Sequence, residues 1–239
     1  MKLNIEADVQ SQYSAMDVRA GVQSLRMMYK VGGHVLPVSI VIITKTSRTR
    51  GVHMSRLVEA AARNSDRDHI EDALKGIVED VERTQENAFV RLSFEYPFRD
   101  IFAKVRISLS KNIYTYVVRV PGITACPCSK EIAGIGHMQR AWLTVALMSK
   151  HYVDIEEMVV KMLNSFSAST VEMMKRPDEG LKIVEAQDNA KFVEDVVRDA
   201  SKEFPYAFFI KARSEESIHM HDAVAYIRRK KRLVPRRSI

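Results

Sequence analysis

"DVRAGVQSLRMMYKVGGHVLPVSIVIITKT" (residues 17–46) decides the fold. Two β-rich runs, 17–31 and 34–46, flank the pair Gly32-Gly33. A glycine pair between such runs is a hairpin signal, because the tight turns that match strand twist need positive φ. After this hairpin the period changes. Met54, Leu57, Val58 and Ala61 recur at i, i+3, i+4 and i+7, which predicts an amphipathic helix over 52–64. Ile70, Leu74, Ile77, Val78 and Val81 predict a second over 68–85, with Ser65 or Asp66 capping its start. Val90, Leu92, Phe94 and Tyr96 then alternate as a half-buried strand does, and so do Val105, Ile107 and Leu109. The order is ββααββ.

The rest of the chain repeats it. Strands are predicted at 112–120 and 139–148. A helix over 154–166 puts Ile155, Met158, Val159, Met162 and Phe166 on one face, and another over 190–202 turns Val193, Val196, Val197 and Ala200 inward. Strands at 204–212 and 222–230 close the pattern. The repeated order argues for an internal duplication, one module over 1–109 and a second over 110–239. The fold class is α+β, with antiparallel sheets and helices on one face. Such sheets leave open edges, and closing several units into a ring or barrel is one way to cover them. The methionines in the helices read as core filling.

The composition is that of a globular protein of 239 residues, 46% apolar and 28% charged, long enough to bury a real core. No apolar run reaches transmembrane length and no signal-peptide pattern opens the chain, so the expectation is a cytoplasmic protein without a membrane partner. The formal net charge of +7 suits an anionic ligand. Part of the excess sits in "RRKKRLVPRR" (228–237), which reads as a solvated end.

Both cysteines, Cys126 and Cys128, fall in "ITACPCSKEIAGIGHMQRAW" (123–142), with His137 shortly after. A disulfide across one intervening residue is strained. Three readings stay open: metal ligation by thiolate and imidazole, a reactive thiol beside a cation, or two small buried side chains.

"CPCSKEI" and "GHMQR", followed by "KRPDE" (175–179), "FVED" (192–195) and "ESIHMHDA" (216–223), with "RGVHMSRL" (50–57) upstream, resemble the GTP cyclohydrolases of the type IB and archaeal type IV group. The motifs run in the family's order over most of the chain. The resemblance implies a tunnelling fold (T-fold) of tandem ββααββ modules. It also implies a homo-oligomeric barrel, dimer or tetramer, with active sites between subunits. Where type IB enzymes usually read G-A-H-N-Q-R, this chain reads "GIGHMQR", with Met138 in place of Asn; Met220 likewise replaces an Asn in "HMHD". These departures resemble the archaeal branch. They imply Fe(II), with Zn or Mn as alternatives, and a 2',3'-cyclic phosphate product, with the triphosphate as the alternative.

The implied activity is hydrolytic opening of the guanine imidazole ring of GTP at C8, loss of formate and reclosure to a 7,8-dihydroneopterin phosphate. That chemistry needs water activated by a metal. Carried over by motif, Cys126, His137 and Glu179 would hold one divalent metal per chain. Cys128, His219, Glu216 and His221 would move protons. Glu194 would accept from guanine, against the simpler reading of a surface residue pairing with Arg198 at i+4. Lys130, Arg140, Lys175 and Arg176, with His53 and Arg56 from a neighbouring subunit, are candidates for the triphosphate. Two other readings remain: another T-fold pterin or deazapurine enzyme, and a basic nucleic-acid-binding module. The second leaves the thiols and "HMHD" unexplained, so no nucleic acid is expected as partner.

Overall fold

The Gly32-Gly33 pair turns the chain with φ of 54° and 81°. Val31 pairs with His34 directly across it. Strand β1 (Arg19–Val31) and strand β2 (His34–Lys45) thus form the expected hairpin. Helix α1 (Met54–Arg63), helix α2 (Ile70–Glu82), strand β3 (Glu86–Phe98) and strand β4 (Ile101–Ser110) follow in the predicted order. The second pass begins with strand β5 (Ile113–Ala125), helix α3 (Pro127–Ala133) and strand β6 (Met138–Ser149). It continues through helix α4 (Ile155–Leu163), helix α5 (Arg176–Asp188) and helix α6 (Val193–Glu203) to strands β7 (Phe209–Ser214) and β8 (Ala223–Arg228). The structure is a computed structural model and describes residues 8–236. Among these residues the fold is mixed α+β, with six helices and one eight-strand antiparallel sheet whose strands hydrogen-bond in chain order.

The chain packs into two compact units. One comprises the described residues up to Phe94 together with Arg106–Tyr114; the other comprises Glu95–Val105 and the described residues from Thr115 onward. In the first unit the strands bury alternate residues, among them Val38, Ile40 and Ile42 on β2 and Val90 and Leu92 on β3. Leu57, Leu74, Ile77 and Val81 from the two helices are buried with them. The Tyr29 hydroxyl donates to the Ala61 carbonyl at 2.6 Å, which ties β1 to α1, and burial pushes this phenol well up. In the second unit Val118, Val120, Leu143, Val145 and Ile210 form the sheet side of the core. Met158, Met162, Val196 and Ala200 complete it from α4 and α6.

Four expectations need correction. Helix α2 is preceded by His69, not by Ser65 or Asp66: Ser65 donates to Ala62 and Asp66 pairs with Lys30. The strand predicted from 204 begins at Phe209, because α6 continues to Glu203 and Pro205 cannot pair in a ladder. Two helices, α3 and α5, had no periodic signal: α3 buries no residue, and α5 buries only Ala186. The basic run is not wholly solvated. Val234 is buried, and its N–H donates to the Met148 carbonyl at 2.8 Å. Residue 237 of that run lies outside the described residues. No described helix is long and apolar enough to cross a membrane.

Candidate active site

Strand β5 delivers Cys126 to the start of α3. Pro127 occupies the first helical turn, where its missing N–H costs nothing. The Cys126 sulfur accepts from the Ser129 N–H at 3.5 Å. The Cys126 N–H donates to the His137 carbonyl at 3.0 Å, so the chain returns beside itself after eleven residues. That return depends on Gly136: a Cβ there would lie 2.4 Å from the Cys126 carbonyl oxygen. Both thiols are free. Cys126 is half-buried and Cys128 exposed.

Register brings the other half of the site to the same place. Strand β6 pairs with β7 from Ala141↔Ser214, and β7 pairs with β8 from Ser214↔Ala223. The loop between Ser214 and Ala223 therefore sits next to the segment that opens β6, and the Glu215 N–H donates to the Arg140 carbonyl at 2.9 Å. Glu216 comes within 3.8 Å of His137 Nδ1. The His219 ring lies 6.3 Å from the His137 ring, edge to face, and His221 stacks on His219 at 5.1 Å. Cys126, His137, Glu216, His219, His221 and Glu194 line one cleft of about 360 Å³ in the second unit. Glu194 is in the first turn of α6. Its expected partner is taken, since Arg198 donates to Asp195 at 2.6 Å.

Other candidates lie elsewhere. Cys128 points out of the short α3 and does not line the cleft. Lys130 Nζ donates to the Gln187 carbonyl at 2.5 Å. Arg140 is exposed on β6. Lys175, Arg176 and Glu179 cluster at the exposed start of α5. His53 and Arg56 line a separate cavity of about 280 Å³ in the first unit, with Lys45 and Thr46. Among the described residues, no three His, Cys, Asp or Glu side chains are grouped to hold a metal ion. Cys126 and His137 nevertheless suit one: soft sulfur and imidazole nitrogen line the same cleft, and His137 Nδ1 is occupied by Gln139 Oε1 at 2.8 Å, which leaves Nε2 for a ligand bond.

The profile of the family described as Type I GTP cyclohydrolase folE2 matches residues 7–225. The chain belongs to this family. A GTP cyclohydrolase FolE2 from Syntrophobacter fumaroxidans is 33% identical over 94% of this chain and 99% of its own length. One from Magnetococcus marinus is 36% identical over 74% of this chain and 75% of its own. A third, from Dictyoglomus turgidum, is 36% identical over 74% and 77%. The protein is thus a GTP cyclohydrolase, an enzyme of the first step of folate and pterin synthesis.

The FolE2 match takes in both units and every candidate residue, and ends within β8. The geometry adds residues that sequence reading passed over. Gln139 and Thr124 line the cleft, and so do Ser214 and Lys191. The Lys191 ammonium pairs with Asp199 at 3.0 Å and donates to the Ser165 carbonyl at 3.2 Å. For Gln139 a signal was present: it lies two residues from His137 at the opening of a strand, and period-two alternation puts both on one face.

Proposed function

We propose that this chain is a metal-dependent GTP cyclohydrolase of the type IB and archaeal type IV group, acting in the cytoplasm on GTP. The observation that carries the reading is the convergence of Cys126, His137, Glu194, Glu216, His219 and His221 on one cleft. Cys126, His137 and Glu179 would hold one divalent cation, Fe(II) first, with Zn or Mn as alternatives. When bound, the cation supplies Lewis acidity, by which water becomes nucleophilic near neutral pH. The carboxylate of Glu194, facing the cleft from α6, accepts from the ring N–H and the exocyclic amine of guanine and so orients C8. Ring opening, formate loss and reclosure each move protons. Glu216 and His219, beside His137, would do that work, with His221 stacked on His219 and Cys128 as a further donor.

The product follows as a 7,8-dihydroneopterin phosphate, the 2',3'-cyclic phosphate with release of diphosphate, in preference to the triphosphate. The architecture is read as tandem T-fold modules closing into a homo-oligomeric barrel, dimer or tetramer, with active sites between subunits. Two features support this. Among the described residues strands β1 and β8 are the two end strands of the sheet, each with a strand neighbour on one side only. Leu181, Ile183 and Val184 are exposed together on α5. His53 and Arg56 would then serve the site of a neighbouring protomer, alongside Lys130, Arg140, Lys175 and Arg176 as triphosphate candidates.

The test is incubation of the protein with GTP and Fe(II) under anaerobic conditions, with formate and the pterin identified by mass. Formate with a dihydroneopterin cyclic phosphate is the expected result. Formate with the triphosphate would correct the product alone. No formate with any of the three metals overturns the reading and leaves a different pterin or deazapurine chemistry.

A further inference from the structure

Gln139 stands at the centre of a hydrogen-bond network that the family assignment does not explain. Its Oε1 lies 2.8 Å from His137 Nδ1. Its Nε2 donates to the Thr124 hydroxyl at 3.2 Å and faces Glu216 Oε1 at 3.5 Å. Thr124 and Ser214 share a buried hydroxyl contact of 3.2 Å, and Ser214 donates to Glu216 Oε1 at 2.9 Å.

The donors and acceptors of this network can be assigned in only one consistent way. Glu216 as a carboxylate accepts only, so the Ser214 hydroxyl points to it. Ser214 oxygen then accepts from Thr124, and Thr124 oxygen accepts from the amide of Gln139. Both amide hydrogens of Gln139 are thereby used. Turning the amide over would set its oxygen against the Glu216 carboxylate, so the oxygen belongs toward His137. An amide oxygen cannot donate, and the Nδ1 of His137 must carry the proton. The other groups near Nδ1 are the Ser217 hydroxyl at 3.4 Å and Glu216 Oε2 at 3.8 Å, and both can accept.

We infer that Gln139 is a positioning residue: it fixes the His137 imidazole in the Nδ1–H tautomer, so that Nε2 is the nitrogen left with a lone pair for a ligand. The metal-facing half of this inference rests on the function proposed above; the tautomer itself does not. Thr124 and Ser214 act through Gln139 by holding its amide the right way round. A second-layer partner of this kind commonly sets ligand affinity by 10–100-fold.

The test uses the full chain, metal-free, with ¹⁵N-labelled histidine, above the ordinary imidazole pKa of about 6.5. Long-range proton–nitrogen correlation reads the tautomer, and the His137 signals are assigned by their loss in His137→Ala. The wild type should show His137 as Nδ1–H. Gln139→Leu, which offers no acceptor to Nδ1, should lose that single tautomer. In parallel, Co(II) affinity measured by chelator competition should fall on the order of 10–100-fold in Gln139→Leu. A wild-type imidazole protonated on Nε2 overturns the inference, even if Gln139→Leu does not fold. So does a Gln139→Leu protein that keeps both the tautomer and the affinity. If the wild type shows the Nδ1–H form, lost in Gln139→Leu, but does not bind Co(II), the metal reading fails and the positioning role of Gln139 stands.

Discussion

Gly136 and Gln187 hold each other through two hydrogen bonds, both 2.8 Å long: the Gly136 N–H donates to Oε1, and Nε2 donates to the Gly136 carbonyl. The pairing ties the last turn of α5 to the residue between the Cys126 segment and His137. It explains how a helix with almost no buried face is held in place. Replacing Gln187 with Leu would strand a backbone donor and a backbone acceptor at once. The expected cost is about 2–3 kcal/mol in unfolding free energy, read by denaturant titration. The Cys126–His137 geometry should loosen with it, so metal affinity falls too. A variant with wild-type stability would show that water replaces both bonds.

The proposed ligands separate from the proposed proton carriers by metal content. Cys126→Ala, His137→Ala and Glu179→Ala should each lose metal and formate release together. Cys128→Ala should keep the metal and lose most turnover, because its exposed thiol is offered as a proton donor and not as a ligand. Elemental analysis of the four proteins, purified alike, decides it. Full metal retention in Glu179→Ala would remove the α5 carboxylate from the ligand set, the assignment that the isolated chain supports least.

Acid should act on the second unit through Asp199. Burial alone would raise its carboxyl, but hydrogen bonds from Lys202 at 2.9 Å and Lys191 at 3.0 Å outweigh it and hold it below its ordinary value of 3.8. A depressed carboxyl contributes stability that is present above the unfolded pKa and lost as pH falls through the folded one. The loss therefore lies below 3.8. Asp199→Asn should flatten the acid limb of the stability curve in that window. At neutral pH it should cost at most about 1 kcal/mol, since the pair is partly exposed and screened. An unchanged acid limb would mean that the lysines hold Asp199 no more tightly than solvent does.

What the sequence made legible follows its periodicities. Strands such as β3 and helices such as α4 and α6 bury one face each, so their period could be read directly. Helix α5 could not be read that way. Its apolar residues Leu181, Ile183 and Val184 are exposed in the isolated chain. The cleft was legible where a motif carried it, as with Cys126, His137, Glu194 and the histidines of the β7–β8 loop. Thr124 and Ser214 were not legible. They touch across 90 positions of chain, and nothing in either neighbourhood marks a hydroxyl for that contact. Glu179 is known as a ligand candidate only by resemblance.

Glu194 offers the sharpest test of the substrate assignment. It stands in the first turn of α6, lines the cleft, and is free of the helix pairing that would have explained it otherwise, because Arg198 donates to Asp195 instead. In the isolated chain it is exposed, so its carboxylate is available to a ligand at no cost in lost internal contacts. If it anchors guanine, two donors on the base converge on its oxygens. Gln at this position keeps the size but presents an amine to one of those donors, leaving two donors face to face. The expected loss in kcat/KM for GTP is about 2–4 kcal/mol, or on the order of a hundredfold, from the broken charge-assisted pair together with the unsatisfied group. Metal content should not change, since Glu194 is not among the proposed ligands. A surface glutamate with no substrate role would behave differently: Glu194→Gln would leave kcat/KM within about threefold of wild type, and the guanine anchor would have to be sought elsewhere along the cleft.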